Sequence, residues 1–253
     1  MNPGWHAVLC TALMPEYRIG CSGYYYPNWK HTFYPKGVAP RDWLRYYSSV
    51  FDTVELNGTF YRVPKLADLQ KYAAVTPGNF RFSVKMSRYI THVMKLADCR
   101  QSVDAFQNLV LDGLEGKLMH FLFQMPPSFI YHQENLDRVL AMLPHEPRQV
   151  IEFRHPSWWS DDVRLALDKA NITFCQVDFP GMETPFLHTG TDFYLRLHGN
   201  PELFKSSYSD SALRAFYSRF PPGCQRYTVY FNNTYYEGGY TNALQLRQLT
   251  QHA

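Results

Sequence analysis

"VIEFRHPSWW", residues 150–159, begins as a buried β-strand and then sets Glu152 and Arg154, opposite charges separated by one residue, among apolar neighbours. Side chains on a strand alternate between its two faces, so Val150, Glu152 and Arg154 share one face while Ile151 and Phe153 share the other. A strand covered on both sides tolerates such charges only where a counter-ion or a solvated end receives them, because unpaired buried ions are costly. The other strands must therefore show whether polar groups gather at one place.

Period-2 apolar runs ended by turn signals occur at 17–22, 52–57, 80–85, 120–125, 149–154, 172–178, 193–198 and 227–232. Helical periodicity lies between most of them, at 39–51, 65–75, 100–114, 135–143, 159–170, 209–220 and 241–251, with Asp42 near the start of the first. The interval 179–192 is too short and turn-rich for a full helix, which predicts a degenerate crossover after strand 6. Eight alternating βα units predict a closed (β/α)8 TIM barrel; an open doubly wound sheet is the alternative. The 253 residues suit one such barrel, without internal repeat or linker, so one domain over 17–253 is expected behind an N-terminal extension, 1–16.

In a barrel, one strand face fills the lumen and the other meets the helices. Sorting by alternation puts Glu55 and Asn57 together on strand 2, Ser83 and Lys85 on strand 3, and Gln124 late on strand 4. It groups Gln176 with Asp178 on strand 6, Arg196 with His198 on strand 7, and Tyr230 with Asn232 on strand 8. If these faces are luminal, the polar groups converge at the C-terminal mouth, where barrel enzymes place their chemistry. A polar plug, in which Glu55, Glu152 and Asp178 merely neutralise Lys85, Arg154 and Arg196, is the competing account.

Composition narrows the class. Hydrophobic residues make up 45% and charged residues 19%, enough to fill and cover a large core. The net charge of +3 is spread along the chain, which makes nucleic acid an unlikely partner class. Five cysteines without a C-x-x-C pair point to reduced thiols and a cytoplasmic location, and no apolar run approaches a membrane span.

The chain resembles the YecE-like, or DUF72, family of TIM barrels. The resemblance covers roughly Arg18 to Leu249 and rests on "IGCSGYYYPNW" (19–29), "FYP" (33–35), "VELNGTFYRVP" (54–64), "RFSVKMSRYITH" (81–92), "FLFQMPPSF" (121–129), "IEFRHPSWW" (151–159), "YLRLHG" (194–199), "YFNN" (230–233) and "TNA" (241–243). The family pattern has a tryptophan where this chain has Tyr24, and segment 1–16 has no family counterpart. The resemblance implies the barrel and a shared polar mouth without supplying a reaction.

Glu55 and Glu152, facing each other across the mouth, are the candidate acid/base pair, with Asp178 beside them and His198 as a further proton-transfer group. Lys85, Arg154 and Arg196 bring positive charge suited to a small anionic ligand, with Asn57, Gln124, Asn232 and Asn233 as polar contacts and Tyr24 and Trp29 as an aromatic wall. Gly199 would allow close ligand approach, and Gly238-Gly239 before the last helix would cradle phosphate or only shape a turn. No cofactor is expected; a divalent metal on Glu55, Glu152, Asp178 and His198 is the less favoured option, given the interleaved cations. Ser22, Cys21 and Ser128 lack a nucleophile signature, and Gln124-Met125-Pro126-Pro127 would end strand 4 rigidly through a cis proline. The reading reached is an enzyme acting by carboxylate/His acid–base chemistry on a small anionic, phosphorylated sugar-like metabolite. A non-catalytic binding protein and a metal-dependent phosphodiester hydrolase are the alternatives.

Overall fold

The computed structural model describes residues 14–143, 148–182 and 184–251. The first thirteen residues, with Cys10, lie outside the described residues. Eight parallel strands close in chain order: β1 Glu16–Ser22, β2 Thr53–Leu56, β3 Arg81–Lys85, β4 Leu118–Gln124, β5 Gln149–Glu152, β6 Thr173–Asp178, β7 Asp192–Leu197 and β8 Arg226–Phe231. The ring is sealed by β1 against β8, in register from Glu16 opposite Arg226 to Cys21 opposite Phe231. Glu16 is therefore a strand residue rather than part of the extension.

The helices are α1 Trp43–Val50, α2 Gly58–Tyr61, α3 Leu66–Val75, α4 Arg100–Leu114, α5 Gln133–Met142, α6 Asp161–Lys169, α7 Asp210–Tyr217 and α8 Gly238–Gln251. In α4 the buried residues Val103, Phe106, Val110 and Leu114 recur at helical spacing and form the stripe that meets the barrel. Ser160 and Ser209 start α6 and α7 by accepting the backbone N–H of Val163 and Ala212. Asp42, by contrast, makes no side-chain cap; a 3-10 turn over Pro40–Asp42 leads into α1. After β6, the described residues of the crossover form no helix, and Gln176 holds this segment by bonding both backbone groups of Leu187.

Two separate apolar clusters follow the strand alternation. The outer one contains Val54, Leu56, Phe82, Val84, Phe121, Phe123, Ile151 and Phe153, packed under the helices. The luminal one contains Leu122, Val150, Cys175, Val177, Tyr194 and Tyr230. On strand 6 the expected sorting is inverted: Cys175 and Val177 are luminal, so Gln176 and Asp178 face outward. The N-terminal end of the lumen is sealed by a charged network. His120 Nε2 meets Asp192 at 3.0 Å, Arg226 joins Asp192 to Glu16, and Arg18 joins Glu16 to Asp52.

The strands end earlier than the polarity pattern predicts. Arg154, Asn57, His198 and Asn232 lie just beyond β5, β2, β7 and β8, where the ladders have stopped and loops begin. Pro156, lacking an N–H, opens a 3-10 turn after β5. The cis peptide among the described residues is Asn200–Pro201, not a bond of the Met125-Pro126-Pro127 segment.

Candidate functional site

At the C-terminal mouth, the centre is Arg196. Its Nε lies 3.1 and 3.0 Å from the two carboxylate oxygens of Glu55, its Nη2 donates to Glu55 Oε1 at 2.7 Å, and its Nη1 donates to Glu152 Oε2 at 2.7 Å. Arg196, Glu55 and Glu152 are all essentially inaccessible to solvent. Glu55 also accepts from Ser22 Oγ and Tyr194 Oη, each at 2.7 Å, so its oxygens are saturated. Glu152 takes a second ion pair from Arg154.

This geometry changes the acid/base assignment. Burial pushes the Glu152 carboxyl up, but Arg154 and Arg196 outweigh it and hold the group well below the usual carboxylate range. A carboxylate held ionised in this way cannot supply a proton near neutrality. Glu55 and Glu152 are brought together as expected, yet as the two counter-ions of one buried guanidinium. Here the polar-plug account describes their contacts, while Lys85, which it also included, stands outside the pairing.

His198 Nε2 lies 2.9 Å from Arg154 Nη2 and 3.2 Å from Arg196 Nη1. Guanidinium nitrogens only donate, so Nε2 must accept and the ring proton resides on Nδ1. Burial first, then the two arginines, hold His198 neutral by lowering its pKa well below the ordinary value. Its Nδ1 is buried with no hydrogen-bond partner among the described residues.

Above this cluster opens a cavity of about 560 Å³. Lys85, Arg88, His92, Arg154, Arg196 and His198 supply its basic lining, and Asn57, Gln124 and Asn232 its amides. Lys85 sits with its Nζ 4.2 Å from the centre of the Phe60 ring. Among the described residues, neither it nor Arg88 has an acidic ion-pair partner. Burial, followed by the Arg196 guanidinium, lowers the Lys85 ammonium to about 8, against the opposing pull of Glu152 and Glu55. His92 is pushed down to about 4, by burial and then by Lys85 and Arg88. The side-chain oxygens of Asn57 and Asn232 are buried and, among the described residues, unpartnered.

Several expected residues lie elsewhere. Asp178 points away from the lumen, accepting from Tyr208 Oη at 2.5 Å and Asn200 Nδ2 at 3.2 Å. Asn233 is buried beside the barrel, bonded to Ser206 and Asn242. Trp29 is a core residue whose indole N–H donates to Tyr236, with Tyr26, Phe33 and Tyr240 packed around it. Tyr24 lines a neighbouring cleft of about 510 Å³ that shares Asn57 with the mouth cavity.

Gly199, at φ 87°, makes a turn with Glu202 O and Ser206 O within 3.1 Å of where a Cβ would stand, so protein rather than ligand occupies that space. Gly238 and Gly239 are likewise required by packing: a Cβ would meet Ser207 Oγ at 2.5 Å and Thr234 Cγ2 at 2.9 Å. Cys21 is fully buried in the outer core, its thiol pushed up by burial, and Ser22 is committed to Glu55.

The donor set considered for a metal is dispersed: Arg196 and Arg154 occupy the glutamates, Asp178 lies outside, and His198 Nε2 is taken. Among the described residues no group of three His, Cys, Asp or Glu side chains could hold a metal ion. Strand alternation does not reach Arg88 and His92, which line the cavity. Their signal was present in "KMSRYITH" immediately after strand 3, but the π-helical turn Tyr89–Val93 that follows Arg88 and carries His92 has no periodicity to read at that length.

Fold and site together define a (β/α)8 barrel protein with a basic cavity over a buried Glu-Arg-Glu cluster at its C-terminal mouth. The chain belongs to the DUF72 family, described as a protein of unknown function, whose model matches residues 18–253. It is 31% identical over 137 residues to UPF0759 protein YunF of Bacillus subtilis and 28% identical over 136 residues to UPF0759 protein YecE of Escherichia coli K12. These matches cover 51% and 53% of this chain and 48% of each relative, so the chain spans about half the length of the curated relatives it matches. A DUF72 family crystal structure from Thermotoga maritima superposes with a TM-score of 0.84 at 28% identity, covering 93% of this chain and 99% of the other. One from Enterococcus faecalis gives 0.78 at 20% identity, covering 93% and 95%, and shares the fold.

Proposed function

We propose that the barrel mouth binds a small hydroxylated anion, of the class of sugar phosphates and hydroxy acids, and acts on it by proton transfer. The observation that carries this reading is the distribution of charge. Arg196 and Arg154 engage both glutamates beneath the cavity, which leaves Lys85 and Arg88 lining it as cations without a counter-ion among the described residues. Carboxylate and phosphate groups complement such an array, the guanidinium offering paired donors and the ammonium a compact charge.

Hydroxyl groups on the ligand would satisfy what the protein leaves open. His198 Nδ1–H needs an acceptor, and the Asn57 and Asn232 oxygens need donors. With Glu152 locked as an anion, the group fitted for proton transfer near neutrality is Lys85 rather than the carboxylate pair.

Titration calorimetry at low ionic strength, with inorganic phosphate and glycerol phosphate as probes, tests the site. Binding is expected to weaken on the order of tenfold in Lys85→Met or Arg88→Met and to fall as salt is added. Equal affinity in the wild type and both variants would overturn the reading, as would no binding of either probe. Depletion of the bound compound distinguishes an enzyme from a binding protein that uses the same pocket.

A further inference from the structure

Lys85 is built differently from a simple anion clamp. We propose that Lys85 is a covalent catalyst whose Nζ attacks the carbonyl carbon of an anionic, hydroxylated aldehyde or ketone held in the mouth, forming a Schiff base. This rests on the anion-binding reading above and adds a carbonyl to the ligand class.

The geometry supports it in three ways. Lys85 is the last residue of β3, paired with Leu122 of β4, and its carbonyl accepts from Thr59 Oγ1 at 2.7 Å, so its backbone is fixed from two sides. The side chain lies over the Phe60 ring and lines the cavity. The two carboxylates of the mouth are already bound to arginines, so neither holds Lys85 as an ammonium by direct contact.

A lysine used only for its charge gains from a setting that stabilises the charge. Here, burial and the neighbouring Arg196 loosen the hold on the proton, and with a pKa lowered to about 8 roughly a tenth is unprotonated near pH 7. That fraction is on the order of a hundredfold larger than for an exposed lysine.

The step closes without an external oxidant or reductant. The free amine adds to the carbonyl carbon, the C–N bond forms, and the π-electron pair passes to the carbonyl oxygen. A proton then moves from nitrogen to that oxygen. The nitrogen lone pair then expels the hydroxyl, which takes up the proton that the Lys85 ammonium released on becoming the free amine and leaves as water. Ammonium and carbonyl have become iminium and water, with charge conserved. The iminium then serves as an electron sink for the adjacent carbon, where the ligand hydroxyls would sit.

The test is reductive trapping. The full chain is incubated with glycolaldehyde phosphate or with uncharged glycolaldehyde in the presence of sodium cyanoborohydride, and adducts are located by intact mass and peptide mapping. One adduct per chain at Lys85 is expected, forming about tenfold faster with the phosphorylated aldehyde, slowed by inorganic phosphate and absent in Lys85→Arg. Adducts spread over the exposed Lys30, Lys36, Lys65 and Lys71, with Lys85 reacting no faster, would overturn the proposal. Phosphate calorimetry on the same preparation separates the two readings: phosphate binding without Lys85 trapping removes the covalent step alone, and failure of both removes the anion site as well.

Discussion

Arg196 is the residue on which the mouth depends. Two fully buried carboxylates face its one guanidinium, and each buried ion carries a desolvation cost that only its partner offsets. Arg196→Met should therefore destabilise the protein by about 3–5 kcal/mol, because it leaves Glu55 buried without a cation and Glu152 with Arg154 alone. Urea denaturation of the variant beside the wild type measures this, and an unchanged midpoint with an unchanged slope would contradict the pairing. The same logic limits what Glu152→Gln can show. That change breaks two ion pairs, so lost activity in it would not identify Glu152 as a proton donor. In the sequence, the convergence of Glu55, Glu152, Arg154 and Arg196 is legible from alternation alone. Which charges consume each other is not, because pairing across a barrel depends on strand stagger and side-chain reach, and alternation encodes neither.

At the level of elements, the one strand whose faces the pattern inverts is β6, and the reason lies in what covers it. Polar side chains on a barrel strand are expected inside when the outer face packs under a helix. The crossover after β6 has no helix among its described residues, so at Gln176 the outer face of this strand, packed under helices at Phe174, meets loop backbone. Gln176 answers that loop, donating to Leu187 O and accepting Leu187 N–H, while Asp178 accepts from Tyr208. The short, turn-rich interval was readable; its consequence for the adjacent strand needed the rule that backbone groups under cover must find partners. Gln176→Leu is accordingly expected to cost about 1–3 kcal/mol by leaving both Leu187 groups unsatisfied. Phosphate affinity at the mouth should stay within about twofold, since Gln176 does not line it. Thermal or urea unfolding in parallel with calorimetry tests both halves, and a loss of affinity as large as that of Lys85→Met would refute the outward placement.

For the whole molecule, several buried ionisable groups have folded-state values shifted the same way. His198, His92 and His120 are held neutral, in each case with burial as the leading cause; Glu152 is held as an anion by Arg154 and Arg196, and Asp192 by its hydrogen bond with His120 and by Arg226, in both cases against burial. A histidine whose folded pKa lies below its unfolded value of about 6.5 contributes stability that is complete above that value, and the contribution is lost as pH falls toward the folded one. For His92 the window runs from about 6.5 down to about 4. The carboxylates act lower: Glu152 and Asp192 contribute fully above their ordinary values, 4.5 and 3.8, and lose that contribution only as pH falls toward their depressed folded ones. Acidification should thus weaken the barrel in two stages, the histidines first and the ion pairs afterwards. Urea midpoints at pH 7.5, 6.0 and 5.0 are expected to fall steadily, before the ion-pair carboxylates begin to titrate. His198→Asn should lessen that decline, because one of the three histidines that must charge on unfolding is gone. A wild-type midpoint constant from pH 7.5 to 5.0 would mean that these histidines take up protons equally in the folded and unfolded states and are not held neutral by the fold. The tautomer assigned to His198 from its two guanidinium contacts would then be wrong as well.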